Sequence, residues 1–161
     1  MQIVIPDDYQ DAVRTLDCFR KLSGHQVTIF QDSVKDVEAL AARFRDAEAL
    51  VLIRERTAID EPLLARLPKL KVISQTGRGI THVDLAACTR HGVAVTTGIG
   101  SAHSTAELTW GLMLAALRHI PQEVAQLKAG HWQSTLGVGL RGRTLGIFGY
   151  GQIGSERSSL Q

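Results

Sequence analysis

A chain of 161 residues with 44% hydrophobic and 21% charged side chains has the material for one globular domain, or for one domain and a piece of another. Its 18 basic and 16 acidic residues are interspersed and leave a formal charge of +2, which argues against a nucleic-acid surface. Cys18 and Cys88 lack metal-ligand spacing, Met1–Pro6 lacks the basic start and apolar core of a signal peptide, and the apolar stretch 108–117 is too short for a membrane span, so a cytoplasmic protein with reduced thiols is expected.

Strand and helix signals alternate through the first hundred residues. Short apolar runs at 2–5, 26–30, 49–53, 72–74 and 93–96 read as strands. Asp7 and Asp8 can cap a helix carrying Val13, Leu16 and Leu22 and closed by Gly24. Ser33 can cap a second over 34–44, with Val37, Leu40, Ala41 and Phe44 on one face. Asp60 precedes a Pro-containing first turn at 61–64, and Asp84 precedes 85–90, which Gly92 closes. Such alternation predicts parallel strands joined by right-handed crossovers, a flavodoxin-like α/β domain over residues 1–98.

Beyond Gly98 the pattern changes. His103 or Ser104 opens a long helix, 105–119, whose apolar residues surround it, so it is expected to be buried, either in its own domain or between two domains or subunits. Pro121 starts a further helix to about residue 129, and 130–142 is a glycine-rich loop. Leu145–Phe148 reads as a strand running into Gly149-Tyr150-Gly151-Gln152-Ile153-Gly154, a G-x-G-x-x-G pattern. As a dinucleotide loop, Gly149 serves the tight turn, Gly151 the approach of a pyrophosphate and Gly154 close packing, with Gln152 and Ile153 as further cofactor-binding candidates and the phosphates facing the N–H groups at a helix N-terminus. A glycine-rich hairpin is the alternative. The acid that holds the ribose lies about 20 residues beyond such a motif. Only seven residues follow Gly154 here, so NAD and NADP are not distinguished.

Together with 70–84 (LKVISQTGRGITHVD), Gly92–Val95 and Ser104–Leu108, the glycine motif resembles the D-isomer-specific 2-hydroxyacid dehydrogenases, across the chain to about Gly154. The resemblance implies a flavodoxin-like substrate domain over 1–98 followed, over 99–161, by the first helix and strand of an incomplete Rossmann nucleotide-binding domain. It implies NAD or NADP as cofactor, a small 2-hydroxy or 2-keto acid as substrate, and a homodimer that uses the long helix. Gly77, Arg78 and Gly79 match the loop whose main-chain N–H groups hold the substrate carboxylate, and Arg54 opens a second bordering loop, Arg54-Glu55-Arg56-Thr57. Both loops can also be plain turns with solvated arginines. Glu55 departs from the small residue usual there and sets an acid beside an expected anion site, where it can pair with Arg54. Thr105 matches a position lining the nicotinamide side of the cleft.

The family's catalytic arginine, acid and histidine lie downstream of the glycine motif and have no counterpart in these residues, so an inactive, truncated fragment is expected. The tail Ser155–Gln161 lacks an apolar helix face and reads as a shifted reading frame or an artificial end. His103 and Glu107, four apart, read as a surface helix pair rather than an acid–base couple or metal half-site. The alternative to an oxidoreductase is a non-catalytic binding or dimerisation module like the dehydrogenase-like corepressors.

Overall fold

Five four-residue strands pair in parallel to build the first part of the molecule: β1 (Gln2–Ile5), β2 (Gln26–Ile29), β3 (Ala49–Leu52), β4 (Val72–Gln75) and β5 (Ala94–Thr97). Their order is β2-β1-β3-β4-β5, the flavodoxin-like arrangement the alternation predicts. The computed structural model describes the backbone of residues 1–159 and the side chains of 1–155. Leu160, the single leucine of the tail, therefore lies outside the described residues. The chain divides into two compact units, Met1–Gly100 and Ser101–Gln161.

Strand alternation sends apolar side chains to both sheet faces. Val4, Leu50, Leu52 and Ile73 point to one face, where Leu40, Phe44, Leu63, Leu64, Ala87 and Cys88 cover them in the main core. The intervening Ile3, Ile5, Ala49 and Val51 point the other way, to a thinner cluster closed by Val13 and Leu22. The main core is carried by α1 (Val37–Phe44), α2 (Glu61–Leu64) and α3 (Leu85–Arg90). Each has an aspartate cap: Asp36, Asp60 and Asp84 accept from the N–H groups of Ala39, Leu63 and Ala87.

Several local expectations fail for identifiable reasons. The segment after β1 is two 3-10 stretches, Val13–Thr15 and Asp17–Leu22, not an α-helix. Its apolar residues Val13, Leu16, Phe19 and Leu22 recur every three positions, the period of a 3-10 helix. Asp8 does cap it, accepting from the N–H groups of Ala12 and Val13 at 3.0 Å each. Ser33 does not cap α1: the helix begins at Val37, and its N-cap is Asp36, an acid that better suits a helix N-terminus.

In the second unit, α4 (Ala102–Leu117) starts and ends earlier than predicted, and Ser101 makes no side-chain cap bond. His119, in the left-handed region at φ 52°, turns the chain into α5 (Ile120–Lys128). The full burial expected of α4 is not observed: only Ala106 is buried, while Leu108 and Leu112 are 63% and 62% exposed. Leu145–Phe148 forms no strand. A strand exists only by pairing with a neighbour, and no other segment of this unit offers one among the described residues. No helix among the described residues is long and apolar enough to cross a membrane.

Candidate functional site

In this strand order the chain reverses direction between β1 and β3, and ligands of such sheets sit beyond the carboxyl ends of strands at that point. Three loops meet there: 6–11 after β1, 53–58 after β3 and 76–83 after β4. The first two are pinned together by a clamp that the sequence does not announce. Asp7 is buried, with a left-handed backbone at φ 62°, and its carboxylate accepts the Thr57 hydroxyl at 2.5 Å. Arg56 donates to the Asp7 carbonyl and lies over the Tyr9 ring at 4.2 Å. An acid buried this deeply is tolerable because Thr57 satisfies one carboxylate oxygen and the Tyr9 hydroxyl, at 3.5 Å, reaches the other. The clamp fixes where Arg54 and Glu55, the two preceding residues, leave the sheet.

The loop after β4 is held from beneath. Gln75 is buried at the strand end, its amide nitrogen 3.9 Å from where a Cβ on Gly77 would stand. Gly98, just past β5, donates to the carbonyls of Gln75 at 2.8 Å and Gly77 at 3.1 Å. A Cβ on Gly98 would collide with the Thr76 carbonyl, so only glycine allows this approach. Neither Gln75 nor Gly98 was singled out by sequence reasoning; their roles arise from three strands ending side by side.

The predicted binding residues separate in character. Gly77 and Gly79 are half-buried in the loop after β4. Arg78 donates from Nε to the Ile99 carbonyl at 2.6 Å, which turns its guanidinium toward backbone. Arg54 is exposed, with φ 57°, and makes no hydrogen bond or ion pair among the described residues. The local pairing of Glu55 with Arg54 is therefore not formed. Glu55 lies instead against Gly79, where a Cβ would fall on its carboxyl oxygen and stand 2.9 Å from its Cδ.

His82 follows in the same loop. Both its ring nitrogens are buried without a partner among the described residues. Burial pushes its pKa below the usual histidine value, and the Glu55 charge opposes that shift. His103 and Glu107 lie exposed on α4 with no third ligand: no cluster of three metal-binding side chains occurs among the described residues.

The glycine motif, in the second unit, has the local geometry of a strand-to-helix phosphate turn without the strand. Gly149 has φ 88°, and α6 (Gln152–Ser159) begins directly after Gly151. A Cβ on Gly154 would collide with the Gly149 carbonyl and lie 3.3 Å from Ile147 Cγ2, so this glycine is required by packing. Gly151 has open space around it, as a position meant for close approach of a ligand would. Thr105 is exposed in the first turn of α4, which packs against α6. These residues fit a pyrophosphate; nothing in them selects a nucleoside.

Comparison with known proteins agrees across almost the whole chain. The family model described as D-isomer specific 2-hydroxyacid dehydrogenase, catalytic domain, matches residues 3–158. D-3-phosphoglycerate dehydrogenase of Methanocaldococcus jannaschii is 42% identical over 122 residues, 74% of this chain and 23% of that protein. The human D-3-phosphoglycerate dehydrogenase is 39% identical over 145 residues, 86% of this chain and 27% of that protein. Among solved structures, a phosphoglycerate oxidoreductase from Vibrio cholerae O395 superposes with a TM-score of 0.92 at 54% identity, over 99% of this chain and 52% of that one. The D-lactate dehydrogenase of Escherichia coli shares the fold at 18% identity, with a TM-score of 0.82. The chain thus spans about a quarter of the length of these curated relatives and about half of the solved chains.

Proposed function

Because the chain belongs to the D-isomer specific 2-hydroxyacid dehydrogenase family, we propose that residues 1–98 are the substrate-holding part of an oxidoreductase acting on a small 2-hydroxy or 2-keto acid. Residues 99–161 are then the entry to its nucleotide-binding part. NAD or NADP, when bound, supplies hydride exchange at C2 of the acid, and the protein supplies orientation and charge matching. Gly149, Gly151, Gln152, Ile153 and Gly154 would hold the cofactor's pyrophosphate, and Thr105 would line the nicotinamide side.

The observation that carries this reading is the convergence at the ends of β3 and β4. Gly98 holds the loop containing Gly77 and Gly79 through hydrogen bonds to the carbonyls of Gln75 and Gly77, and Glu55, next in sequence to the exposed Arg54, lies against Gly79. Main-chain N–H groups of such a loop match a carboxylate without ordering a flexible side chain. Arg78 borders the loop through its backbone. His82, with both ring nitrogens buried, is not positioned to exchange a proton with a bound acid. We therefore infer that these 161 residues bind the acid but do not turn it over, since positioned acid–base groups commonly contribute factors of roughly 100 or more.

Pyruvate titrated into the chain should shift the amide resonances of 54–57 and 76–79 and few others. Mixing the same protein with NADH and pyruvate should give no sustained oxidation of NADH. Shifts confined to another region, or robust turnover, would overturn the reading. Exposure of Leu108 and Leu112, one helical turn apart on α4, supports a homodimer. The two unpaired thiols, Cys18 and Cys88, are in keeping with the cytoplasm.

A further inference from the structure

Glu55 sets an acid against Gly79, in the loop after β4. Of the guanidinium groups around the loop mouth, Arg56 is committed to the Asp7 carbonyl and Tyr9, and Arg78 donates to the Ile99 carbonyl. Arg54 remains exposed, with the Glu55 carboxylate next to it in sequence and folded over Gly79. Glu55 makes no ion pair or hydrogen bond among the described residues, so its negative charge at the loop is not neutralised by a direct partner. A bound carboxylate on the Gly77–Gly79 amides would sit beside it.

We propose that Glu55 is a specificity-determining residue that biases this site toward monoanionic 2-hydroxy or 2-keto acids and against acids bearing a second anionic group such as a phosphoryl. The inference rests on Gly77–Gly79 being the carboxylate loop. A phosphoryl group adds a charge of about −1.5 to −2. That charge, about 8 Å from a carboxylate, even at the dielectric of water, weakens binding by about fivefold. The substrate carboxylate itself is repelled too, but equally in both kinds of acid, so the ratio of affinities isolates the second anion. Relatives whose names specify phosphoglycerate share the fold, and the bias assigned to Glu55 separates this site from that substrate.

The test compares pyruvate and 3-phosphoglycerate as ligands of the 161-residue chain and its Glu55→Gln variant, read from the amide shifts of Gly77–Gly79 at low ionic strength, where screening is weak. Glutamine keeps the size of the side chain and removes its charge. The expected result is that E55Q gains several-fold for pyruvate and about fivefold more than that for 3-phosphoglycerate. An affinity ratio unchanged within about twofold, with both acids bound at the loop, overturns the inference alone. Absence of any shift at Gly77–Gly79 with either acid in either protein overturns the loop assignment and the inference together.

Discussion

Replacing Thr57 with valine tests whether the clamp between the loops after β1 and β3 carries stability. The two side chains are nearly equal in volume, so no cavity opens, and the change is confined to the hydroxyl. That hydroxyl donates at 2.5 Å to Asp7, and both residues are 2% exposed. Removing a hydrogen bond to a carboxylate in such a place costs about 1.5–3 kcal/mol. With a urea slope of about 1.5 kcal/mol per molar, the midpoint for the first unit should fall by about 1–2 M. Thr57→Ser keeps the donor and loses one methyl, about 0.8 kcal/mol, so it should fall by roughly half a molar. Trp110 and Trp132 both belong to the second unit, so tryptophan fluorescence does not report this transition. Amide resonances of Ile3, Leu50 and Ile73, in β1, β3 and β4, do. A T57V midpoint within about 0.3 M of the parent, or a serine variant as damaged as the valine one, would refute the reasoning.

Gly154→Ala should disrupt the turn at 149–154, seen as faster amide exchange at Ser155, which donates to the Gly151 carbonyl at 2.9 Å. Gly151→Ala, in open space, should leave that exchange near the parent value. His82 should titrate below its ordinary 6.5 by ring-proton resonance, and Glu55→Gln should lower its midpoint further, because the Glu55 charge raises it. A depressed histidine favours the neutral folded form, so this contribution to stability is complete above about 6.5 and is lost as pH falls toward the folded value. Hydrogen bonds from His91 and then Arg90 hold the Glu61 carboxyl below the usual range. Any advantage of the parent over Glu61→Gln in urea unfolding should therefore be present at neutral pH and vanish as acid protonates Glu61, below the ordinary carboxylate range. Leu108→Glu with Leu112→Glu should shift sedimentation toward a monomer, because each places a charge on a face exposed in the single chain; an unchanged sedimentation profile counts against the homodimer.

The sheet and its order were legible because short apolar runs alternating with capped helices admit few parallel topologies, and Asp60, Asp84 and Gly92 mark their own helix ends. The glycines of the second unit marked a tight turn for the same reason: φ 88° at Gly149 and the crowding at Gly154 are demands only glycine meets. What the sequence could not disclose depends on distant segments meeting. In the segment after β1, Val13 and Leu22 but not Leu16 or Phe19 pack against the apolar cluster on that face of the sheet, which spacing alone does not show. Leu145–Phe148 stayed irregular because strand formation requires a paired edge, whatever the local propensity. The site divides in the same way. Gly77, Gly79 and Arg54 could be read as a carboxylate loop and a neighbouring cation. The Asp7–Thr57 clamp, the support from Gly98 and the turn of Glu55 toward Gly79 arise from residues 21 to 50 positions apart, brought together by the sheet. Local sequence sets backbone demands and burial preference; which side chains share a site, and with what charge around them, is decided by strand order.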